Sequence, residues 1–159
     1  MSLSQALNQF AQNLGRYPLT EPVFAQIGYS DYLPQHYSYK AFLDRNEFKA
    51  QMDACDLVIT HGGTGAIIGA VKRGKKVVAV PRLAKYGEHV DDHQIQLVEA
   101  FSKMGIIEAC LEVNDINDAL VQVRSKEFNA FHSNTNVLLK SIDEYITQNV
   151  DLQSSRKNI

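Results

Sequence analysis

Three glycines, a histidine and a threonine fall within five residues, His61-Gly62-Gly63-Thr64-Gly65. They directly follow the apolar run Leu57-Val58-Ile59-Thr60 and precede the small-residue stretch Ala66-Ile67-Ile68-Gly69-Ala70. The first of these flanks reads as a buried strand and the second as a helix, so the glycines occupy a strand-to-helix turn. Without Cβ atoms such a turn can be tight, and an anion can come close to main-chain amides. The helix behind it aims its first N–H groups and the positive end of its dipole at the same space. That is the chemistry of phosphate capture, with Thr64 as an added hydroxyl donor and His61 at the strand end. The bland alternative is a tight turn that binds nothing.

Spacing narrows the phosphate ligand. A dinucleotide fingerprint needs Gly-x-Gly-x-x-Gly, whereas Gly63, Gly65 and Gly69 run one residue too long. The next strand ends in Val80-Pro81-Arg82 and lacks the acid that would hold a ribose. No Gly-Lys-Ser/Thr follows, so a Walker-type loop also fails. These departures disfavour a nicotinamide-dependent oxidoreductase.

One strand later comes a polar run from Arg82 through Glu88, His89, Asp91, Asp92, His93 and Gln94. Its loop leaves a neighbouring carboxyl strand end, so Arg82, Asp91, Asp92 and Gln94 are expected at the same cleft. Asp91 or Asp92 suits the N-cap of the following helix. The other carboxylate, with Gln94 as both donor and acceptor, suits sugar hydroxyls. A metal is not expected, because neighbours at a helix start diverge and no His-x-x-x-His pair is present. Glycoside hydrolysis would need two carboxylates facing each other across a bond, which adjacent residues do not provide.

The elements that position these residues follow from apolar periodicity. Strands are predicted over Val23 to Ile27, Tyr37 to Leu43, Leu57 to Thr60, Lys76 to Val80 and Ile106 to Cys110. Helices are predicted over Gln5 to Leu14, Arg45 to Cys55, Ala66 to Lys72, Asp92 to Met104, Ile116 to Val123 and Asn134 to Gln148. Gly15 to Pro22 reads as a loop. This alternation predicts an α/β fold, a parallel sheet with helices on both faces. Ligands of such sheets bind beyond the carboxyl ends of the strands. Tyr29, Tyr32, Tyr37 and Tyr39 form an aromatic stretch suited to a partner surface, a lipid headgroup or plain loop packing.

Composition sets the outer bounds. The 159 residues suffice for one domain, read as residues 1–150 with a flexible tail at 151–159. A net charge of −2 gives no global attraction to nucleic acid. The basic cluster Lys72, Arg73, Lys75 and Lys76 reads as a solvated helix end complementing the dipole. Cys55 and Cys110 read as buried free thiols of a reducing compartment. No apolar run nears the roughly 20 residues of a membrane span. A cytoplasmic protein is expected, reaching the inner face of a membrane only through a partner.

At Thr60-His61-Gly62-Gly63-Thr64-Gly65-Ala66 and Asp91-Asp92-His93-Gln94, joined by Gly74-Lys75-Lys76-Val77-Val78-Ala79-Val80-Pro81, the chain resembles the C-terminal, donor-binding domain of glycosyltransferase family 28. The likeness runs from about Val23 to Leu120. It is nearest to the EpsF/PssE-type small subunits of bacterial exopolysaccharide and capsule galactosyltransferases, and more distant from MurG-like enzymes and the eukaryotic subunit adding the second N-acetylglucosamine. The resemblance implies the C-terminal Rossmann-like half of a GT-B fold and a UDP-sugar donor, with galactose suggested. It also implies inverting transfer with no cofactor or metal. His61, Gly62, Gly63, Thr64 and Gly65 match the diphosphate-binding turn, and Asp92 and Gln94 match positions near the donor sugar. A membrane-associated acceptor-binding subunit is implied as partner, presenting a lipid-linked sugar acceptor and supplying the general base.

Two departures are informative. Gly69 stands where the family often has a ribose-holding glutamate. The family's small subunits usually open with a strand such as Val-Thr-Val-Gly-Thr, whereas Met1-Ser2-Leu3-Ser4-Gln5 leads straight to a predicted helix. The first family strand is therefore expected to be missing, with Met1-Ser2-Leu3 read as a leader, and the exposed edge invites a homodimer or strand exchange. The last helix is expected to fold back on the core. Both departures lean towards a competing reading, a non-catalytic nucleotide- or anion-binding regulatory module.

Overall fold

A computed structural model describes residues 22–84 and 92–156. The predicted helix Gln5 to Leu14 and Asp91 lie outside the described residues. Two parallel sheets are present. In one, β1 (Phe24–Gln26) pairs with β2 (Ser38–Lys40). In the other, β3 (Leu57–His61), β4 (Lys76–Val80) and β5 (Glu108–Ala109) lie in that order. Between the strands run α1 (Arg45–Ala54), α2 (Thr64–Val71) and α3 (His93–Lys103), followed by α4 (Ile116–Ser125) and α5 (Thr135–Arg156). The predicted α/β class holds.

β4 is the centre of the larger sheet because its side chains alternate between two cores. Val78 and Val80 face Cys110, Ile116, Ala119, Leu120 and Val123, so α4 covers that side. Val77 and Ala79 face Met52, Ile67, Ala70, Val98, Ile106 and Ile107, where α1, α2 and α3 pack. Val77, Val78, Val98 and Val123 are fully buried, each worth about 1.5–3 kcal/mol against exposure. The turns from α2 to β4 and from α3 to β5 use the same device. Gly74 and Gly105 both adopt φ 70°, a left-handed conformation that terminates a helix at little cost only for glycine.

The basic cluster is structural. Arg73 Nη1 donates to Gly69 O at 2.7 Å, Lys75 Nζ to Asp53 O at 3.1 Å and Lys76 Nζ to Arg124 O at 2.6 Å. Each cation thus serves a carbonyl towards the end of a different helix, α2, α1 and α4. Lys72 lies over the Phe131 ring, 5.7 Å from its centroid. Both cysteines are free. Burial, reinforced by Asp115, Glu108 and Glu112, pushes the Cys110 thiol up to about 11. It is an inert core residue.

The last helix departs from expectation. Phe128 and Phe131 are the last of the described residues to pack on the cores, one on each face. Beyond them every side chain of Thr135–Thr147 is exposed, Val137 and Tyr145 each at 69%. α5 therefore does not fold back on the core. It runs helical to Arg156, past the Gln148 limit set by apolar spacing and into the stretch read as tail. The aromatic stretch divides: Tyr29 and Tyr39 are exposed, while Tyr32 and Tyr37 are half-buried. Tyr29 meets Phe42 edge-on, with centroids 4.8 Å apart.

Candidate functional site

β3 ends at His61, in register with Val80 of β4, so the turn after β3 and the segment after β4 leave the same edge of the sheet. Within the turn, Gly63 N donates to His61 O at 2.7 Å. Gly63 then becomes the N-cap of α2 in an extended conformation, φ −77°, ψ 122°. None of the three turn glycines has positive φ. Their common reason is not conformational freedom, as the sequence suggested, and each has a separate cause.

Gly62 is required by packing. A Cβ there would lie 2.9 Å from Gln94 Cβ and 3.0 Å from Val98 Cγ2 on α3. Gly63 lies under His61, whose imidazole folds over it and would have to swing aside for a Cβ. Gly65 is required by nothing within the described chain, since a Cβ would meet nothing within 4 Å. Glycine inside a helix costs about 1 kcal/mol relative to alanine. No packing against the described residues accounts for this bare position in the first helical turn.

The electrostatics point the same way. The N-cap residue Gly63 offers no side-chain acceptor, and no acid stands in the first turn of α2. The positive end of the helix dipole is left without a countercharge from its own cap. Thr64, the first residue of α2, is exposed there.

The segment after β4 is held down by α3. Gln94 is 3% exposed, and its Oε1 accepts the Arg82 amide at 3.0 Å. Asp92 sits at the N-cap of α3 but does not cap it; its Oδ1 accepts Ala84 N at 2.8 Å. Two acceptors at the start of α3 thus fix the path of Pro81–Ala84, and Gln94 simultaneously supports Gly62 from beneath. Arg82 Nε is buried with no hydrogen-bond partner among the described residues, a donor left unspent beside the turn.

Residues 2–148 match the family model of the glycosyltransferase family 28 C-terminal domain. The chain belongs to that family. It is also 30% identical over 82 residues to the UDP-N-acetylglucosamine transferase subunit ALG13 of Candida glabrata, a match covering 51% of this chain and 39% of that protein. The match thus spans about two-fifths of that relative's length. The parallel sheet with helices on both faces is the Rossmann-like architecture expected of this family 28 domain.

Of the residues singled out in the sequence, His61, Gly62, Gly63, Thr64 and Gly65 form one continuous turn, with Gln94 packed under Gly62. Arg82, Asp92 and Gln94 are joined through the post-β4 segment. Sequence reasoning missed the anchoring roles of Gln94 and Asp92, and Val98 as the second residue crowding Gly62. A glutamine at a helix start looks the same in sequence whether it faces solvent or lies beneath a loop. Among the described residues no group of three His, Cys, Asp or Glu side chains could hold a metal, and no helix is long and apolar enough to cross a membrane.

Proposed function

We propose that this chain is the donor-binding subunit of a two-component inverting glycosyltransferase. It holds the diphosphate of a UDP-sugar at the head of α2 and acts on a lipid-linked acceptor brought by a membrane-associated partner. The observation carrying the reading is Gly65: a helix-start glycine with no packing role among the described residues, at an N-terminus with no acid in its first turn and no side-chain cap. A diphosphate supplies the missing countercharge and takes the first-turn amides as donors. Arg82 adds a cation at the same edge, and Thr64 a hydroxyl. His61, Gly62 and Gly63 shape the turn, while Asp91, Asp92 and Gln94 build the wall towards the sugar.

In such a site the departing diphosphate is stabilised by preorganised amides and a guanidinium, with no reorganisation needed as charge develops. The general base belongs to the partner, because this chain builds one wall of the cleft. The relative's name supports a UDP-sugar donor and a subunit role; exopolysaccharide or capsule synthesis with galactose rests on the sequence motifs. Localisation at the inner membrane face through the partner belongs to the same proposal.

Co-purification with the product of the neighbouring gene, followed by a donor screen that includes UDP-galactose and UDP-N-acetylglucosamine, tests it. Transfer is expected only with both proteins present, and His61→Ala or Asp92→Ala should abolish it. A partnered complex that binds UDP but transfers no sugar would favour the non-catalytic module. That reading is supported by Gly69, which offers no carboxylate to a ribose.

A further inference from the structure

Helix α5 carries an apolar stripe left open among the described residues. Leu138, Leu139, Ile142, Tyr145 and Ile146 recur at the spacing of one helical face, and 46–69% of each is exposed. The stripe is separate from the two cores, on which Phe128 and Phe131 pack before α5 begins. The polar face lies opposite. There Lys140 and Glu144 approach to 3.8 Å one turn apart, beside Asp143 and Thr147. Ser141, at the edge of the stripe, has already spent its hydroxyl on Val137 O at 3.1 Å. Covering the stripe therefore buries no charge and strands no hydroxyl.

The stripe also matches itself. Counted from Ile142, its apolar residues stand three and four places away on both sides, the set a helix uses to cross another at one central residue. A two-fold axis through Ile142 sets that residue on its own copy, Leu138 against Ile146 of the second copy and Leu139 against Tyr145 of the second copy. In this antiparallel arrangement Lys140 is level with Glu144 of the second copy, and Asp143 with Ser141 of the second copy. No like charges then stand side by side. A parallel pairing would set Lys140, Asp143 and Glu144 each level with its own copy. With roughly 100 Å² exposed on each of the five side chains, two copies together remove about 1,000 Å² from water, near the lower bound for a specific interface.

We propose that α5 is a homodimerisation helix, on which a second copy of this chain docks antiparallel along residues 138–146 and crosses at Ile142. An interface of this size gives a reversible dimer, half-formed at a chain concentration on the order of 100 μM. The inference rests on α5 alone and is independent of the donor reading.

Sedimentation equilibrium of the full chain, from about 5 μM to about 1 mM, tests it. The mass should rise from that of one chain to that of two, with no larger species. Ile142→Lys should hold it at one chain throughout, whereas Thr147→Ala on the far face should leave the dimer intact. Thermal unfolding of dilute Ile142→Lys should match that of the unaltered chain, because this position touches neither core. Cysteines read the crossing point in a Cys55→Ser background. Ile142→Cys lies beside its own copy and should link two chains under mild oxidation, about tenfold faster than Thr147→Cys. A chain that stays monomeric at millimolar concentration overturns the proposal and leaves the stripe to a different partner. So does a dimer that survives Ile142→Lys, or cysteines that link at equal rates.

Discussion

Two helix starts in this molecule are built on opposite principles. α1 is closed by its own side chains. Asp44 Oδ1 accepts from Asn46 N at 2.7 Å and Glu47 N at 2.8 Å, while Glu47 Oε2 takes Asp44 N at 3.0 Å. This capping box satisfies first-turn donors from within, and Glu47 also pairs with Lys40 at 2.6 Å. α2 begins with Gly63, no acid and open space over Gly65. The chain builds a capping box at Asp44, 19 residues before Gly63, yet leaves α2 without a side-chain cap. The difference is what the proposed diphosphate site rests on, because a purely structural helix start would be stabilised by about 1 kcal/mol with a conventional cap.

The contrast can be broken by substitution. Gly65→Glu has the largest expected effect. The open space accommodates the side chain, and its carboxylate takes the place of the anion. UDP affinity measured by calorimetry should fall by about 100-fold, roughly 2.8 kcal/mol, while the thermal midpoint holds or rises. An equal loss of stability would make Gly65 a packing residue like Gly62. Gly62→Ala should do the reverse, lowering stability in urea by about 1–3 kcal/mol through overpacking against Gln94 and Val98. Any loss of UDP affinity there should follow the loss of fold.

Asp44→Ala sharpens the other half of the comparison. It should cost about 1 kcal/mol of stability and leave UDP binding unchanged. The smallest effect is a pH dependence. The Lys40 hydrogen bond, with the Asp44 amide, holds the Glu47 carboxyl below its ordinary 4.5. Its contribution is therefore complete above that value and lost as pH falls through the depressed one. Loosening of this contact should begin only in acid, as read by exchange at the Asp44 amide, which donates to Glu47 Oε2, and Glu47→Gln should remove that pH dependence.

Much of this was legible in the sequence, for physical reasons. β4 is legible at its observed limits because Val77 to Val80 is apolar on both faces and Pro81 stops the strand. β5 is shorter than the apolar run Ile106 to Cys110, since pairing with β4 covers only Glu108 and Ala109. The length and exposure of α5 were not legible, because apolar spacing shows that a helix can bury a face and not whether a partner surface is within reach. At the site, the glycine cluster announced the turn, but one reason was assigned to three residues that have three. Packing beneath Gly62 and the ring over Gly63 depend on tertiary neighbours that no local pattern encodes.

The central claim is that the head of α2 is open for a diphosphate, and an amide-resolved NMR titration with UDP tests it most directly. Signals of Gly63, Thr64, Gly65 and Ala66 should shift saturably while those of Asn46 and Glu47 stay fixed. Silence at Gly63 to Ala66, or shifts of equal size at both helix starts, would contradict the account.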